Sequence, residues 1–383
     1  MSELYRLLPE QEEFRKVVRE FSLDKVAPRA AEIDAEGEYP HDIHLEMVKA
    51  DLLSVMFPEE VGGAGADSIT QAILIEEITR LCTNSGMIPL LNKLGMTPLL
   101  LRGSDEQQRA WIPQIISGEA QAAYALTEPE AGSDVANLRT RAQRDGDGWL
   151  INGGKRFISN AGVATVYTLF AKTDPGAGHE GISCFIVPAD AAGFRVTKFE
   201  EKMGLRGSPT GELVLDDVRV PADHLVGEEG EGFPIAMMTL DRSRPGIGAQ
   251  ALGIAQGAFD VALAYARQRT QFGRPIIDNQ AVSFMLADMD MKIRAARHLV
   301  YEAHAMIDRQ DPELRYLAAA AKCFASDVAM AVTTDAVQVL GGYGYIREFP
   351  AERFMRDAKI TQIYEGTNQI QRVVMGRRLA GES

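Results

Sequence analysis

The chain has few cysteines and no long apolar run. Its three cysteines, Cys82, Cys184 and Cys323, lie too far apart for a metal-ligand set or a disulfide framework, and we expect reduced core residues. His41 and His44 have no further ligand nearby and are interpreted as a solvated helix start. No stretch reaches the ~18 apolar residues of a transmembrane helix, and the N-terminal segment lacks the apolar core of a signal peptide. These absences predict a cytoplasmic protein with no membrane insertion and no bound metal.

Basic residues are also in the minority. The 40 Lys and Arg residues face 54 Asp and Glu residues, which leaves a formal net charge of −14 at pH 7. Without a basic cluster the chain lacks the surface that binds a phosphate backbone, so no nucleic-acid partner is expected. A composition that is 46% hydrophobic, with no low-complexity tract, excludes intrinsic disorder. At about 100–200 residues per domain, the length predicts two or three globular domains.

Hydrophobic periodicity divides the chain into three parts and predicts a multidomain α+β fold. Residues 1–120 have helical spacing, with one helix that begins after a Ser104 cap and is limited by Pro113. Residues 121–230 alternate apolar and polar positions between glycine-containing turns, which predicts an all-β domain. Residues 231–383 return to helical spacing and predict a helical domain.

Local patterns set three further expectations. The segment Asp145–Gly148 predicts a hairpin turn, and Asn152-Gly153 predicts another turn shortly after it. In the last part, helical spacing returns after Gly230, and long runs that are apolar on one face begin at Ala251, Asn279 and Leu314. A crevice between the three parts is where a cofactor is expected.

The segment TEPEAGSD, residues 127–134, concentrates unusual residues. Gly132 and Ser133 offer backbone N–H groups and a hydroxyl that suit a diphosphate close to the main chain, although these residue types are also typical of a surface turn. The glycine clusters at 62–65 and 341–344 do not complete GxGxxG in a strand–turn–helix context. A Rossmann nicotinamide site is therefore not expected.

Near the C-terminus, Glu365 precedes Gly366, a helix breaker. A carboxylate at such a bend can be aimed into a cleft and desolvated, which raises its pKa toward that of a useful general base. The other interpretation is simply a helix start capped by Thr367, and the local sequence leaves both open.

Five blocks in order resemble the acyl-CoA dehydrogenase family of flavoproteins: YALTEPEAGSDVANLRT, LINGGKRFISNAG, RTQFGRPI, VQVLGGYGY and IYEGTNQIQR. The resemblance extends over the whole chain. It implies a middle β-barrel, a C-terminal four-helix bundle, FAD bound between them, and a homotetramer in which FAD also touches a neighbouring subunit. The implied reaction, in fatty acid metabolism, oxidises an acyl-CoA thioester to the trans-2-enoyl-CoA and passes electrons to electron-transfer flavoprotein.

The resemblance also implies, motif by motif, which residues contact FAD. Phe157 takes the place of an aromatic residue that covers one flavin face, and Ser159 that of a hydroxyl that hydrogen-bonds flavin N5; relatives often carry Trp and Thr there. Arg269, Gln271 and Phe272 match a stretch that reaches FAD from the partner subunit. The implied cofactor contacts are Tyr124, Leu126, Thr127, Gly132, Ser133, Phe157, Ile158, Ser159, Arg269, Gln271, Phe272, Gln280, Gln338, Gly342, Thr367 and Gln369.

Catalysis is implied for Glu365, as the base that removes the α-proton while the β-hydrogen leaves as hydride to flavin N5. Some relatives carry the base at a helix position that matches Ser243, where serine cannot serve. The implied substrate contacts are Ser133, Asp241, Arg244 and Gly366.

Lys93, in the segment NKLGM, is an unexpected charge where the family lines the acyl pocket. The favoured interpretation places its stem on the pocket wall and its ammonium in water. The acyl group is not fixed by the sequence, because pocket depth depends on backbone positions. Two alternatives stay open: an acyl-CoA oxidase that uses dioxygen, and a non-catalytic binding protein, against which the retained Glu365 argues.

Overall fold

The computed structural model describes residues 7–381; the outermost ends of the two predicted helical domains, residues 1–6 and 382–383, lie outside that range. Six α-helices precede the first strand. These are α1 (Pro9–Phe21), α2 (Ala30–Glu36), α3 (His41–Lys49), α4 (Ser68–Thr79), α5 (Thr83–Arg102) and α6 (Asp105–Ile116). Helix α6 has the predicted Ser104 cap, but Pro113 lies inside it and does not end it. The helix continues beyond this proline to Ile116, and Ile115 in its last turn is fully buried in the core.

One expectation for this part was wrong, and one helix was not predicted. His44 is buried at 3% exposure, so His41 and His44 are not a fully solvated helix start. Helix α5 was hidden from the sequence pattern by its internal Pro89 and Pro98. A Cβ atom on Gly95 would lie 2.6 Å from the Cβ of Ala122, so this glycine allows α5 to pack directly on the first strand.

The middle part contains eight strands in one sheet. They are β1 (Ala122–Ala125), β2 (Arg141–Asp145), β3 (Gly148–Ser159), β4 (Val166–Lys172), β5 (Ile182–Pro188), β6 (Phe194–Phe199), β7 (Thr210–Pro221) and β8 (Leu225–Val226). The strand order is β6-β7-β3-β2-β4-β5-β8, and β1 pairs in parallel with β4.

The sheet does not close, so the predicted β-barrel is wrong. A barrel requires a hydrogen-bonded seam between the terminal strands, whereas β6 and β8 do not pair and β8 has only two residues. Alternate residues of β4 also face different cores: Val166 and Phe170 pack in the helical core, while Tyr167 and Leu169 pack in the core of the sheet. The open sheet therefore carries helices on one face.

The turn expected within Asp145–Gly148 is present, but the turn expected at Asn152-Gly153 is not. Strand β3 continues through both residues with a bulge. Asn152 exchanges hydrogen bonds with Asp217 across the sheet, which keeps the segment in the ladder. A Cβ atom on Gly153 would lie 2.6 Å from the Thr140 Oγ1 atom, so glycine here serves close packing and not chain reversal.

The last part is helical apart from one short hairpin. Its elements are α7 (Gly232–Gln268), β9 (Thr270–Gln271), β10 (Arg274–Pro275), α8 (Gln280–Asp308), α9 (Leu314–Leu340), α10 (Ala351–Thr361) and α11 (Asn368–Leu379). Helices α7, α8 and α9 pack on one another, α10 packs on α7 and α9, and α11 packs on α9. Helix α7 begins at Gly232, includes the run from Ala251 and contains the buried Pro245. Because α7 also packs on α4, α5 and β5, its first half lies where the three parts meet.

Two helical segments, Gly232–Gln268 and Leu314–Tyr345, have the length and hydropathy of membrane spans. In these segments 72% and 61% of the apolar window is buried by the rest of the chain, which is typical of core helices. The three cysteines are free and buried, which confirms the core positions predicted for them.

Candidate active site

Glu365 lies at the bend between α10 and α11. Its φ of 51° and the φ of 91° at Gly366 are both left-handed, a conformation that costs a non-glycine residue energy and is often found at functional sites. Thr367 caps α11 by accepting a hydrogen bond from the Ile370 N–H at 3.3 Å. The two interpretations of this segment therefore coexist, since the capped helix start is what produces the bend.

The side chains of Lys322 and Gln371 hold this bend through hydrogen bonds. The Lys322 ammonium of α9 donates to the Gly366 carbonyl at 2.9 Å and to the Asn368 Oδ1 atom at 3.0 Å. The Gln371 amide donates to the carbonyls of Gly366 and Glu365 at 2.8 and 3.2 Å. The backbone N–H of Glu365 has no acceptor among the residues that the structure describes. The bend is therefore fixed through its carbonyls, and the N–H of Glu365 stays available as a donor.

The Glu365 carboxylate faces the first half of α7. Its Oε2 atom accepts a hydrogen bond from the Ser243 hydroxyl at 2.5 Å, across 122 residues of sequence. The hydrogen bond joins the bend to α7, because Ser243 lies in the first half of that helix.

Burial is the main influence on the charge of Glu365. It raises the pKa of the carboxyl, and the Ser243 hydrogen bond and the cations of Lys322 and Arg244 oppose it only in part. Burial likewise lowers the pKa of Lys322 to about 8, against the attraction of Glu365. Glu365 is therefore a stronger base than an exposed carboxylate, while the Lys322 ammonium favours its ionised form.

Unpaired polar atoms line the same cleft. Arg244 is 4% exposed and its Nη1 atom donates to the Asp241 carboxylate at 2.8 Å, while its Nε atom has no partner among residues 7–381. The Tyr124 hydroxyl is also buried without a described partner, and burial raises its pKa well above the usual value. Buried donors rarely stay unpaired in proteins, so these atoms indicate that a polar ligand completes the cleft.

The loop after β1 is anchored by a buried ion pair that the sequence pattern did not reveal. Glu128 accepts from the Lys155 ammonium at 2.7 Å and from the Thr140 N–H at 3.1 Å. A lysine within an otherwise strand-like run was the available signal. Gly132 and Ser133, farther along the loop, are exposed, and the space around Gly132 is open. The anchor thus presents their backbone to a ligand.

The end of β3 presents an aromatic face. Phe157 is 57% exposed and has a left-handed φ of 57°, whereas the side chain of Ile158 is buried in the sheet core. Ile158 can therefore contact a ligand only through its backbone. Ser159 is partly exposed and pairs with Thr210. Leu126 is buried, and the Thr127 carbonyl accepts from the Arg156 N–H at 2.9 Å.

The remaining predicted cofactor contacts lie in two other places. Arg269, Gln271 and Gly342 line a cavity of about 500 Å³, where the Arg269 guanidinium lies 5.5 Å from the centre of the Tyr343 ring. Phe272, which follows the cavity residue Gln271 in the sequence, is 97% exposed. Thr367 and Gln369 line a second cavity of about 480 Å³. Gln280 and Gln338 are exposed residues of α8 and α9 and line neither cavity.

The cleft fits the FAD predicted from the motifs. It offers an exposed aromatic ring at Phe157, open backbone at Gly132 and unpaired buried donors at Tyr124 and Arg244. These are suited to a planar ring with polar edges and a diphosphate. Over the described range 7–381, no group of three His, Cys, Asp or Glu residues is arranged to hold a metal ion.

The Lys93 ammonium was expected to extend into water, but it bonds to the protein instead. The ammonium donates to the Met56 carbonyl at 2.6 Å and lies 5.4 Å from the centre of the Phe57 ring. Both Lys93 and Ser243 line one cavity of about 640 Å³ between α4, α5, α7 and α8. Lys93 therefore lines the same cavity as Ser243, the hydrogen-bond partner of Glu365.

Family models match nearly the whole chain. The N-terminal domain of acyl-CoA dehydrogenase matches residues 8–119, the middle domain residues 123–218 and the C-terminal domain residues 230–380. The probable acyl-CoA dehydrogenase FadE25 of Mycobacterium tuberculosis is 52% identical over 98% of this chain and 97% of its own length.

Solved structures agree with this match. The butyryl-CoA dehydrogenase of Megasphaera elsdenii superimposes with a TM-score of 0.95 at 42% identity, over 98% of this chain and 99% of that one. A chain in a structure described as the electron transferring flavoprotein of Acidaminococcus fermentans gives a TM-score of 0.96 at 45% identity, over 98% and 99%.

Proposed function

The chain belongs to the acyl-CoA dehydrogenase family, is an FAD-dependent oxidoreductase, and on this basis we propose that Glu365 is its general base in the oxidation of a saturated acyl-CoA to the trans-2-enoyl-CoA. The observation that carries the proposal is the partly buried Glu365 carboxylate, which is fixed on a left-handed bend opposite Ser243. An anaerobic screen of straight, branched, aromatic and cyclic acyl-CoAs, followed by bleaching of the flavin, tests it. No bleaching by any of them would contradict it.

The chain's own residues account for the acid–base part of the reaction. The α-proton of a thioester is removed readily only when the carbonyl oxygen is polarised, and the free N–H of Glu365 is a donor for that oxygen. The carboxylate then takes the α-proton, and its raised pKa makes it the stronger base. The Ser243 hydroxyl orients the carboxylate, while Asp241 and Arg244 contact the CoA end of the substrate.

FAD, when bound, supplies the acceptor for the hydride that leaves the β-carbon. The residues proposed to hold it are the loop at Gly132 and Ser133, the aromatic face of Phe157, the Ser159 hydroxyl and the Tyr124 region. Glu128 and Lys155 position that loop.

Assembly and the electron acceptor are further parts of the proposal. Arg269, Gln271 and Phe272 serve the FAD of a neighbouring subunit in a homotetramer, which the 97% exposure of Phe272 supports. Electron-transfer flavoprotein is the proposed acceptor, supported by the likeness to the chain from Acidaminococcus fermentans. Slow reoxidation of the reduced enzyme by dioxygen would distinguish this enzyme from an oxidase. We assign domains to 1–120, 121–230 and 231–383, since α6 ends at Ile116 and β1 begins at Ala122.

We expect the purified protein to be yellow, with one FAD per chain. Phe157→Ala should weaken FAD binding about tenfold, because an aromatic pair contributes about 0.5–1.5 kcal/mol beyond its buried area. Phe199→Ala is the matched control, since Phe199 is also 57% exposed on the same sheet. Arg269→Ala should weaken both FAD retention and assembly. Absorbance of the bound flavin after gel filtration measures these effects, and a colourless protein that takes up no FAD would contradict them.

Ser159 should influence the rate and the flavin potential without being essential for the reaction. Its hydroxyl is assigned as a donor to flavin N5, and such a hydrogen bond contributes about 1 kcal/mol net. Ser159→Ala should therefore lower turnover roughly fivefold and shift the flavin potential, while Ser159→Thr should restore both. Steady-state kinetics and a redox titration measure the two effects. Complete loss of turnover with FAD still bound would show that the assignment is wrong.

A further inference from the structure

The cavity lined by Lys93 and Ser243 contains an ammonium with unused hydrogen-bond donors. An ammonium carries three N–H donors, and Lys93 uses one of them on the Met56 carbonyl. Among the described residues, the carboxylate whose charge acts on Lys93 is that of Asp308. Its oxygens accept from the N–H and the hydroxyl of Ser68 at 3.0 and 2.6 Å.

His304 of α8 lies in the same wall. It is 4% exposed, and its ring interacts with the backbone of Pro245 and Ser68, so it is not a free donor for a ligand. The carboxylates of Glu60, Asp105 and Asp308 also line the cavity, but all three residues are exposed at its rim, where water screens their charge.

Ser243 links the cavity to the proposed reaction centre, because it lines the cavity and donates to Glu365. Leu90, Leu94 and Ile75 form an apolar wall along it. An acyl chain with its α-carbon at Glu365 would pass this wall before it reaches Lys93. Burial lowers the pKa of Lys93 to about 8, so an oxygen ligand that accepts from the ammonium would favour its charged form.

We propose that this cavity selects acyl-CoA substrates whose chain carries an oxygen acceptor, a hydroxyl or a carboxyl group, toward its distal end, and that Lys93 binds that oxygen. The proposal rests on the proposed dehydrogenase function and specifies its substrate class. A pure hydrocarbon chain would leave two N–H donors of the Lys93 ammonium without a protein or substrate acceptor in a partly buried site, which binding sites of this kind disfavour.

The test compares matched substrates on the FAD-loaded enzyme. Valeryl-, hexanoyl- and octanoyl-CoA are each paired with the terminal hydroxy and terminal carboxy compound of the same length, and kcat/KM is measured for all. We expect the oxygen-bearing member to be preferred in at least one pair. Lys93→Met, which keeps most of the apolar stem but removes the ammonium, should reduce that preference roughly ten- to hundredfold, whereas Lys93→Arg should largely keep it.

The controls separate this proposal from the one on which it depends. Lys16→Met removes a lysine whose side chain is 66% exposed on α1 and should leave every ratio unchanged. FAD content and thermal denaturation check that Lys93→Met is folded. Bleaching by the hydrocarbon compounds, with a ratio that Lys93→Met changes less than twofold, would overturn the Lys93 proposal alone. Failure of every acyl-CoA to bleach the flavin would instead overturn the dehydrogenase function.

Discussion

Replacement of Glu365 by glutamine is expected to lower turnover by about 10²–10⁴-fold, the usual contribution of a well-placed general base. Glutamine keeps the size of the side chain and can still accept from the Ser243 hydroxyl, but it has no basicity. FAD content and acyl-CoA affinity should therefore stay close to those of the unmodified enzyme. Steady-state turnover and a binding titration, both with a substrate found in the screen, measure the two properties separately.

The control for Glu365→Gln is Glu128→Gln, which removes a different carboxylate, one that is buried. Because Glu128 pairs with Lys155 under the cofactor loop, its loss should weaken FAD retention more than turnover of the loaded enzyme. If Glu365→Gln instead lost FAD and Glu128→Gln lost turnover with FAD retained, the two roles would be reversed.

Lys322→Met is expected to lower kcat/KM at neutral pH roughly tenfold or more. The ammonium donates to the Gly366 carbonyl and to Asn368, and buried groups left unpaired cost about 1–3 kcal/mol each. Its charge also lowers the pKa of Glu365, so removal of the cation should raise that pKa further. Since the base acts only when deprotonated, the acid limb of the kcat/KM profile should move to higher pH.

The pH profile distinguishes this positioning role from a merely structural one. Lys155→Met removes a second fully buried lysine, which lies beside Glu128 and not beside Glu365. It should destabilise the protein and weaken FAD retention but leave the acid limb in place. An acid limb that does not move in Lys322→Met would mean that Lys322 only holds the fold.

The periodic patterns were sufficient to find the order of helical, β and helical parts, and the five motifs were sufficient to find the family, which the domain matches confirm. They failed where tertiary packing overrides local preference. Helix α5 keeps Pro89 and Pro98 because it is buried between the other parts, and Asn92 accepts from the Ala122 N–H at 2.9 Å on the first strand. Strand β3 keeps Asn152 because Asp217 faces it across the ladder.

The candidate site was predictable in part. The bend at Glu365 followed from a glycine and a capping threonine in adjacent positions, which are local signals. The position of Ser243 opposite Glu365 came only from the family resemblance, and the hydrogen bond between them is visible only in the folded chain. Lys322 was missed although it lies within a run of alanines on a buried helix face, where a lysine is rare without a partner. Its partners, the carbonyl of Gly366 and the side chain of Asn368, are visible only in the folded chain.

Anaerobic stopped-flow reduction of the bound flavin by one acyl-CoA, in three proteins, tests most directly whether Glu365 is the base. The unmodified enzyme should be reduced rapidly, and Glu365→Gln should be reduced at least about a hundredfold more slowly with FAD still bound. Addition of Ser243→Glu to Glu365→Gln should restore part of the rate, because Ser243 already lies at hydrogen-bond distance from the lost carboxylate. Reduction of Glu365→Gln within a few-fold of the unmodified rate would contradict the proposed mechanism.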